Sequence, residues 1–221
     1  MINVQFHLDE LDDRISAILK LIDATHPDSS SSGVSRETRG LAIVLLYASY
    51  ENLLTGLTRT LLEAASRCRV SNKRLRPGFR LFTVDSSVRS LRDVSERKVY
   101  ASALPQLIAQ ASSGSVPSTI NTNAFPYDGS FFKRSQISLW CSTFEIPNPI
   151  SLLANIWGEI DTIVADRNGI AHGRLTPDEV GRRYTETDIR TLISDWRSDW
   201  SSFLVEVQRL ASSRDFFRLP R

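Results

Sequence analysis

Ile189, Ile193, Trp196, Trp200, Phe203, Val207 and Leu210 recur at alternating steps of four and three residues. A strand puts every second residue on one face, so only a helix gathers this set into one stripe. Thr185-Glu186-Thr187-Asp188 opens it as a capping box. The same spacing returns at the other end of the chain, in Leu8, Leu11, Ile15, Ile18 and Ile22. Pro27 and the tract Ser29–Ser32 should end that first helix in a surface loop.

A second helix is expected from an N-cap at Ser35 to about Arg67. Its centre, Leu41 to Ala48, is apolar all round, which predicts a place in the middle of a bundle. Glu51, one turn on, must be paired or face a cleft. Arg67, Arg69, Lys73, Arg74, Arg76 and Arg80 follow, with a turn at Pro77-Gly78. Such a run reads either as a solvated loop or as a strip that tracks phosphates. A helix over about 86–111 should kink or break at Pro105. Residues 112–134 are rich in Ser, Asn, Pro and Gly, and predict an irregular insertion. Asp128-Gly129 between aromatic residues signals a two-stranded ribbon within it. A short helix over 136–144 comes next.

Asn148-Pro149 is a cap followed by a first-turn proline, and Gly173 is a natural stop. The roughly 24 residues between them predict about 36 Å of helix, with Leu153, Trp157, Ile160 and Val164 as its core stripe. Thr176-Pro177-Asp178-Glu179 then opens a short helix as another capping box. The expectation is an all-α antiparallel bundle of four to five main helices in a single domain, 1–221. Residues 1–34 hold the N-terminal helix and serine-rich loop, and 112–134 the insertion.

The chain's 221 residues suffice for one well-buried core. No unbroken apolar run approaches the roughly 18–20 residues of a membrane helix. Asp9, Glu10, Asp12 and Asp13 make the N-terminus unlike a signal or transit peptide. A cytoplasmic protein with no membrane association is expected. Cys68 and Cys141 lack metal-ligand spacing, and with only three histidines no metal or cofactor is expected. His7 reads as structural and His26 as a surface residue. Trp196 and Trp200 read as core or dimer-interface residues. Net charge is +2, yet 23 of the 27 basic residues are arginine. Codon bias explains that as readily as function does. The arginine fork nonetheless suits phosphate.

One constellation carries chemistry: Asp166-Arg167-Asn168-Gly169-Ile170-Ala171-His172-Gly173. Asn168 and His172 are four apart and share a helix side, in line with Trp157, Asp161 and Val164. Arg167 lies about 140° from His172 around an ideal helix. Histidine exchanges protons near neutrality, and arginine supplies permanent charge with bidentate hydrogen bonds. Asparagine holds a phosphate or orients the imidazole. The trio suits a phosphodiester whose transition state gathers negative charge, with the ribose 2′-hydroxyl as the nucleophile. A helix-capping histidine with no chemical role has the same spacing.

Arg167 to Gly173 resembles the Arg-x4–6-His signature of the HEPN superfamily in its RNxIAHG form. Leu45-Leu46-Tyr47-Ala48-Ser49-Tyr50-Glu51-Asn52 is similar to the hYAxxE helix of RiboL-PSP-type and related prokaryotic branches. Gly158 to Val164 resembles the approach to the motif. The likeness covers about 35–210, with no counterpart placed for about 70–134. It implies an α-helical homodimer whose two motifs face each other, and in many members a metal-independent endoribonuclease acting as a toxin or abortive-infection effector in antiviral defence. Arg167 and His172 match the signature pair, Asn168 the polar residue after the arginine, and Glu51 the acidic position.

Three readings stand open. The first is an endoribonuclease with catalytic Arg167, His172 and Asn168, supported by Glu51, Asp166 and Tyr47. RNA would be held by Arg174, Lys133, Arg134, Arg74 and Arg76, and an antitoxin or regulatory partner would restrain the enzyme. The second is a non-catalytic module that binds RNA or a partner through the same face. The third is a structural lock in which Asp161 or Glu51 pairs with Arg167. Tyr47 or Tyr50 should reach the cleft, with Tyr184 a weaker candidate.

Overall fold

The computed structural model describes residues 2–26, 33–91, 94–117, 120–122 and 132–220. Its helices are α1 (Gln5–Thr25), α2 (Gly33–Arg67), α3 (Pro77–Leu81), α4 (Asp85–Ser90), α5 (Glu96–Lys98), α6 (Leu104–Ala111), α7 (Arg134–Thr143), α8 (Pro149–Leu152), α9 (Ile160–Ala171), α10 (Pro177–Gly181) and α11 (Glu186–Leu210). Short 3-10 turns lie at Asn72–Arg74 and Arg214–Phe216. No strand forms among the described residues, although an isolated antiparallel bridge joins Leu75 to Arg218. The all-α class is as expected, and the helices outnumber the four to five anticipated.

Helix α2 is the axis of the bundle. It packs against α1, α9, α10 and α11, and α1 also packs on α11. The stripes of α1 and α11 are buried as their spacing predicts, except that Leu8 and Leu210 at their ends are only partly buried. Tyr50 stacks on Trp200 at 5.6 Å and meets Trp196 edge-on at 5.3 Å. Trp196 Nε1 donates to Ser49 Oγ, Trp140 Nε1 to Thr58 Oγ1, and the Tyr50 hydroxyl to the Phe132 carbonyl, whereas Trp200 Nε1 is buried without a hydrogen bond among the described residues. Trp196 and Trp200 are therefore core residues. Both predicted capping boxes form, at Thr176/Glu179 and Thr185/Asp188.

Several expectations are corrected. The single helix from Asn148 to Gly173 is interrupted by turns over 153–159. Asp199, buried on α11, accepts from the backbone N–H groups of Asn155 and Ile156 and from Asn155 Nδ2. Those backbone donors are thereby drawn to another helix. The segment 86–111 is also broken up. A π-helical stretch, Val99–Ala103, precedes Pro105, which has no N–H to continue a regular ladder. Ser35 lies inside α2 and donates to the Thr25 carbonyl rather than capping the helix. The 67–80 stretch is a 3-10 turn and α3 rather than a plain loop. Asp128-Gly129 falls outside the described residues.

His26 is buried, not on the surface. Arg39 Nη1 donates to its Nε2 at 3.0 Å, so the ring proton sits on Nδ1, facing the Ile22 carbonyl at 2.9 Å. Arg39 Nε meanwhile donates to the Gly181 carbonyl, tying α1, α2 and α10 together. His7 is buried against Thr60, and burial lowers its pKa despite the nearby Glu10 charge. By length and composition alone, Val34–Arg67 is apolar enough to cross a membrane, with 56% of its most apolar window buried inside the fold. The unbroken run 41–48 understated this.

Helix α10 lies directly on the backbone of α2. A Cβ on Gly40 would stand 2.0 Å from the Pro177 carbonyl oxygen, and one on Gly181 would stand 1.8 Å from that of Arg36. Backbone cannot yield as a side chain does. Gly40→Ala should therefore cost at least about 1–3 kcal/mol, read as a lower urea midpoint. Gly158→Ala, where a Cβ meets nothing within 4 Å, should leave the midpoint unchanged or slightly raised.

Candidate functional site

The end of α9 presents the polar trio. Arg167 is half-buried with its guanidinium carbon 4.5 Å from the centroid of the Tyr47 ring. Its Nη1 donates to Asn168 Oδ1 at 3.0 Å. The Tyr47 hydroxyl donates to Glu51 Oε1 at 3.1 Å, one turn along α2. Burial, then the charge and hydrogen bond of Glu51, push the Tyr47 pKa up to about 12, with Arg167 pulling against them. Tyr47 thus stays protonated at neutral pH. It offers Arg167 a ring face and Glu51 a donor, and it does not act as a base. Cation–π contact and a fixed hydrogen bond remove much of the freedom of a long guanidinium side chain.

The His172 ring makes no hydrogen bond to this group. The residue caps α9, its backbone N–H donates to the Asn168 carbonyl at 3.0 Å, and its ring is exposed. Among the described residues the ring makes no hydrogen bond or ion pair. Gly173 follows at φ +67°, which reverses the chain and ends the helix as predicted. The N–H groups of Arg174 and Leu175 then both donate to the Gly169 carbonyl, and Leu175 packs over Gly169. The loop carrying His172 is thus folded back onto α9, and α10 fixes its far end against α2.

The other proposed residues fall into separate places. Asp166 is 3% exposed and accepts from Arg183 Nη1 at 2.6 Å. Its Oδ2 is buried without a hydrogen bond among the described residues. It pins α9 to the segment after α10, away from Arg167. Burial pushes Tyr184 up to about 12, with Asp166 and Glu159 adding to it. Arg134 is held by Asp161, through its backbone N–H and its Nε, both at 2.9 Å. Burial opposes the Asp161 charge, but these bonds outweigh it and keep the carboxyl below its usual range. Asp161 therefore pairs with Arg134 rather than with Arg167, which leaves Glu51 as the other partner that the lock reading named for Arg167. Lys133 and Arg174 are exposed. Arg74 and Arg76 lie beyond the far end of α2. There Arg74 donates to the Leu219 carbonyl, and Arg76 to the Asp215 carbonyl and the Glu145 carboxylate. Among the described residues, no group of three or more His, Cys, Asp or Glu is placed to hold a metal ion.

Sequence reasoning missed one feature of the site. Leu41 and Leu45 were placed inside the bundle by their apolar neighbours, yet they are 42% and 41% exposed, and Val34 is 60% exposed. Ala42, Ile43, Leu46 and Tyr47 take the buried side. Positions 34, 41, 45 and 48 share one face of α2. Glu51 lies about 80° around the helix from Leu41, and Tyr47 about 120°. The exposed apolar strip is therefore on the same helix as Tyr47 and Glu51 but on a separate face. Its signal was present in the sequence: a helix needs only part of its circumference buried, and this one is apolar beyond that part.

The family model described as RiboL-PSP-HEPN matches residues 9–195. That span takes in α1 from Asp9 onward and also the 70–134 region. No curated protein and no solved structure matches the chain.

Proposed function

The chain belongs to the RiboL-PSP-HEPN family, and from that premise we propose that it is a homodimeric endoribonuclease that needs no metal and restrains growth as a toxin or antiviral effector in the cytoplasm. The observation that carries the reading is the pairing of a pre-oriented guanidinium with an exposed imidazole at one helix end. A group that moves protons must reach its substrate, and His172 is open to solvent. A group that stabilises charge works best when already in place, and Tyr47 and Asn168 hold Arg167.

In the proposed reaction, the imidazole of His172 takes the proton from a ribose 2′-hydroxyl. The 2′-oxygen attacks the adjacent phosphorus, and Arg167 stabilises the negative charge gathering on the phosphorane oxygens. The P–O5′ bond breaks, and a second imidazole returns a proton to the leaving 5′-oxygen. The partner protomer's copy of the same motif would supply that second group. The products are a 2′,3′-cyclic phosphate and a 5′-hydroxyl. The exposed apolar strip of Val34, Leu41 and Leu45, on the helix that also carries Tyr47 and Glu51, supports a two-fold contact between protomers. An antitoxin or regulatory protein would hold the activity in check.

Single-stranded RNA incubated with the purified chain in EDTA should yield fragments ending in 2′,3′-cyclic phosphate. Intact RNA overturns the proposal. The His172 ring makes no hydrogen bond to Arg167 within one chain, which favours a second reading, an RNA-binding dimer without turnover. That reading expects salt-sensitive binding and no fragments.

A further inference from the structure

A second charged feature lies at the C-terminal end of α2. The Leu75–Arg218 bridge, with the Arg76 N–H donating to the Phe217 carbonyl and the Leu219 N–H to that of Arg74, ties the two distant parts of the chain together. The basic run of 67–80 is thereby joined by Arg214 and Arg218, facing Glu63, Glu145 and Asp215. Several of these cations already serve the fold. Arg74 and Arg76 bind the C-terminal segment, and Arg80 donates to the Lys73 and Leu75 carbonyls.

Arg67 and Arg214 are placed differently. With Ala64, Cys68 and Phe217 they line an open cavity of about 170 Å³. That is well below the roughly 300–1,000 Å³ of a small-molecule pocket. It is suited to one phosphate group rather than a whole nucleotide. The Arg67 side chain is 75% exposed and pairs with Glu63 one turn back, an exposed contact that a phosphate can displace. Burial raises the Cys68 pKa, with Arg214 and Arg218 opposing it. The thiol is therefore neutral at pH 7 and adds no competing negative charge.

We propose that Arg67 and Arg214 hold a backbone phosphate of the same RNA strand that reaches Arg167 and His172. Thr55, Arg59 and Glu63 follow Glu51 at steps of four, each about 40° further around the helix, so a strand joining the two sites crosses the surface of α2 obliquely, past the exposed Arg59. Sixteen residues of helix span about 24 Å. Stacked nucleotides advance about 3.4 Å each, so at least about seven are needed to bridge the two sites. The substrate class this implies is an RNA strand longer than about seven nucleotides. This rests on the nuclease reading for its direction, but binding can be measured without cleavage.

The test measures binding of oligouridylates by the full chain carrying His172→Ala. Affinity should step upward between four and twelve nucleotides. Adding Arg67→Gln and Arg214→Gln should remove two phosphate contacts, each worth a slope of about 0.7 in log affinity against log salt. Twelve-nucleotide affinity should then fall about 25-fold at 0.1 M salt, converging near 1 M, while four-nucleotide affinity stays unchanged. Arg197→Gln, the same charge change on the exposed face of α11 beside Asp12, should have no such effect. A length series without the step, an unmoved salt slope, or an equal loss in Arg197→Gln overturns the proposal. So does inorganic phosphate binding that the double variant abolishes while RNA affinity stays intact, since the cavity would then serve a free anion. RNA bound in this manner but never cut by the unsubstituted chain sinks only the nuclease reading. Cutting by the unsubstituted chain, with affinity and slope unmoved by the double variant, sinks only this one.

Discussion

RNA cleavage by the His172→Ala chain is expected to fall by about 10²–10⁴-fold, the usual contribution of a general acid or base. The loss should appear in kcat, because the imidazole acts on the transition state rather than on bound RNA. Arg167→Ala should lose a similar amount. The double variant should be little worse than either single one, since the groups serve one step. Arg167→Lys is the sharper probe. Lysine keeps the charge but gives up the planar contact with Tyr47 and the fixed bond to Asn168, so most of the loss should remain. Stability should scarcely follow. His172 is exposed, and surface replacements usually stay within about 0.5 kcal/mol. Rates that survive in folded His172→Ala would remove the imidazole from the chemistry.

The features legible in the sequence are those made by near neighbours. Thr176 with Glu179, and Thr185 with Asp188, are three residues apart, and each box closes on its own turn. The α11 stripe and the Gly173 stop are local in the same sense. The break at 153–159 was hidden because Asp199, some 44 residues onward, makes it. The burial of His26 was hidden because Arg39 and the Gly181 carbonyl meet only after α10 has docked. The site divides along the same line. Arg167, Asn168, Tyr47 and Glu51 were singled out from spacing and resemblance, and the fold brings these four together. Asp166 was singled out for its place in the motif, yet its carboxylate faces Arg183, which no spacing rule connects to it. Leu41 and Leu45 show the converse. Their apolar character was plain, but hydropathy does not say on which side the neighbouring helices stop.

That strip leads to the other large expected effect. Leu41→Asp with Leu45→Asp should convert the dimer to a monomer and abolish cleavage while leaving the helical fold intact. Both residues are about two-fifths exposed in the single chain, so their replacement opens no core cavity. Across a two-fold interface each substitution is felt twice. Burying a leucine is worth about 1.5–3 kcal/mol, and a desolvated carboxylate adds to the penalty. Even at half that value per leucine, four lost contacts amount to about 3–6 kcal/mol, or about 10²–10⁴-fold in dimer Kd. Sedimentation would read the assembly state and circular dichroism the fold. Val205→Asp, at an exposed position of α11 outside the strip, should leave both unchanged. A Leu41→Asp/Leu45→Asp chain that remains dimeric would place the interface elsewhere. One that is monomeric yet fully active would show that a single Arg167 and His172 suffice, and the partner's imidazole would lose its role as the group that protonates the leaving oxygen.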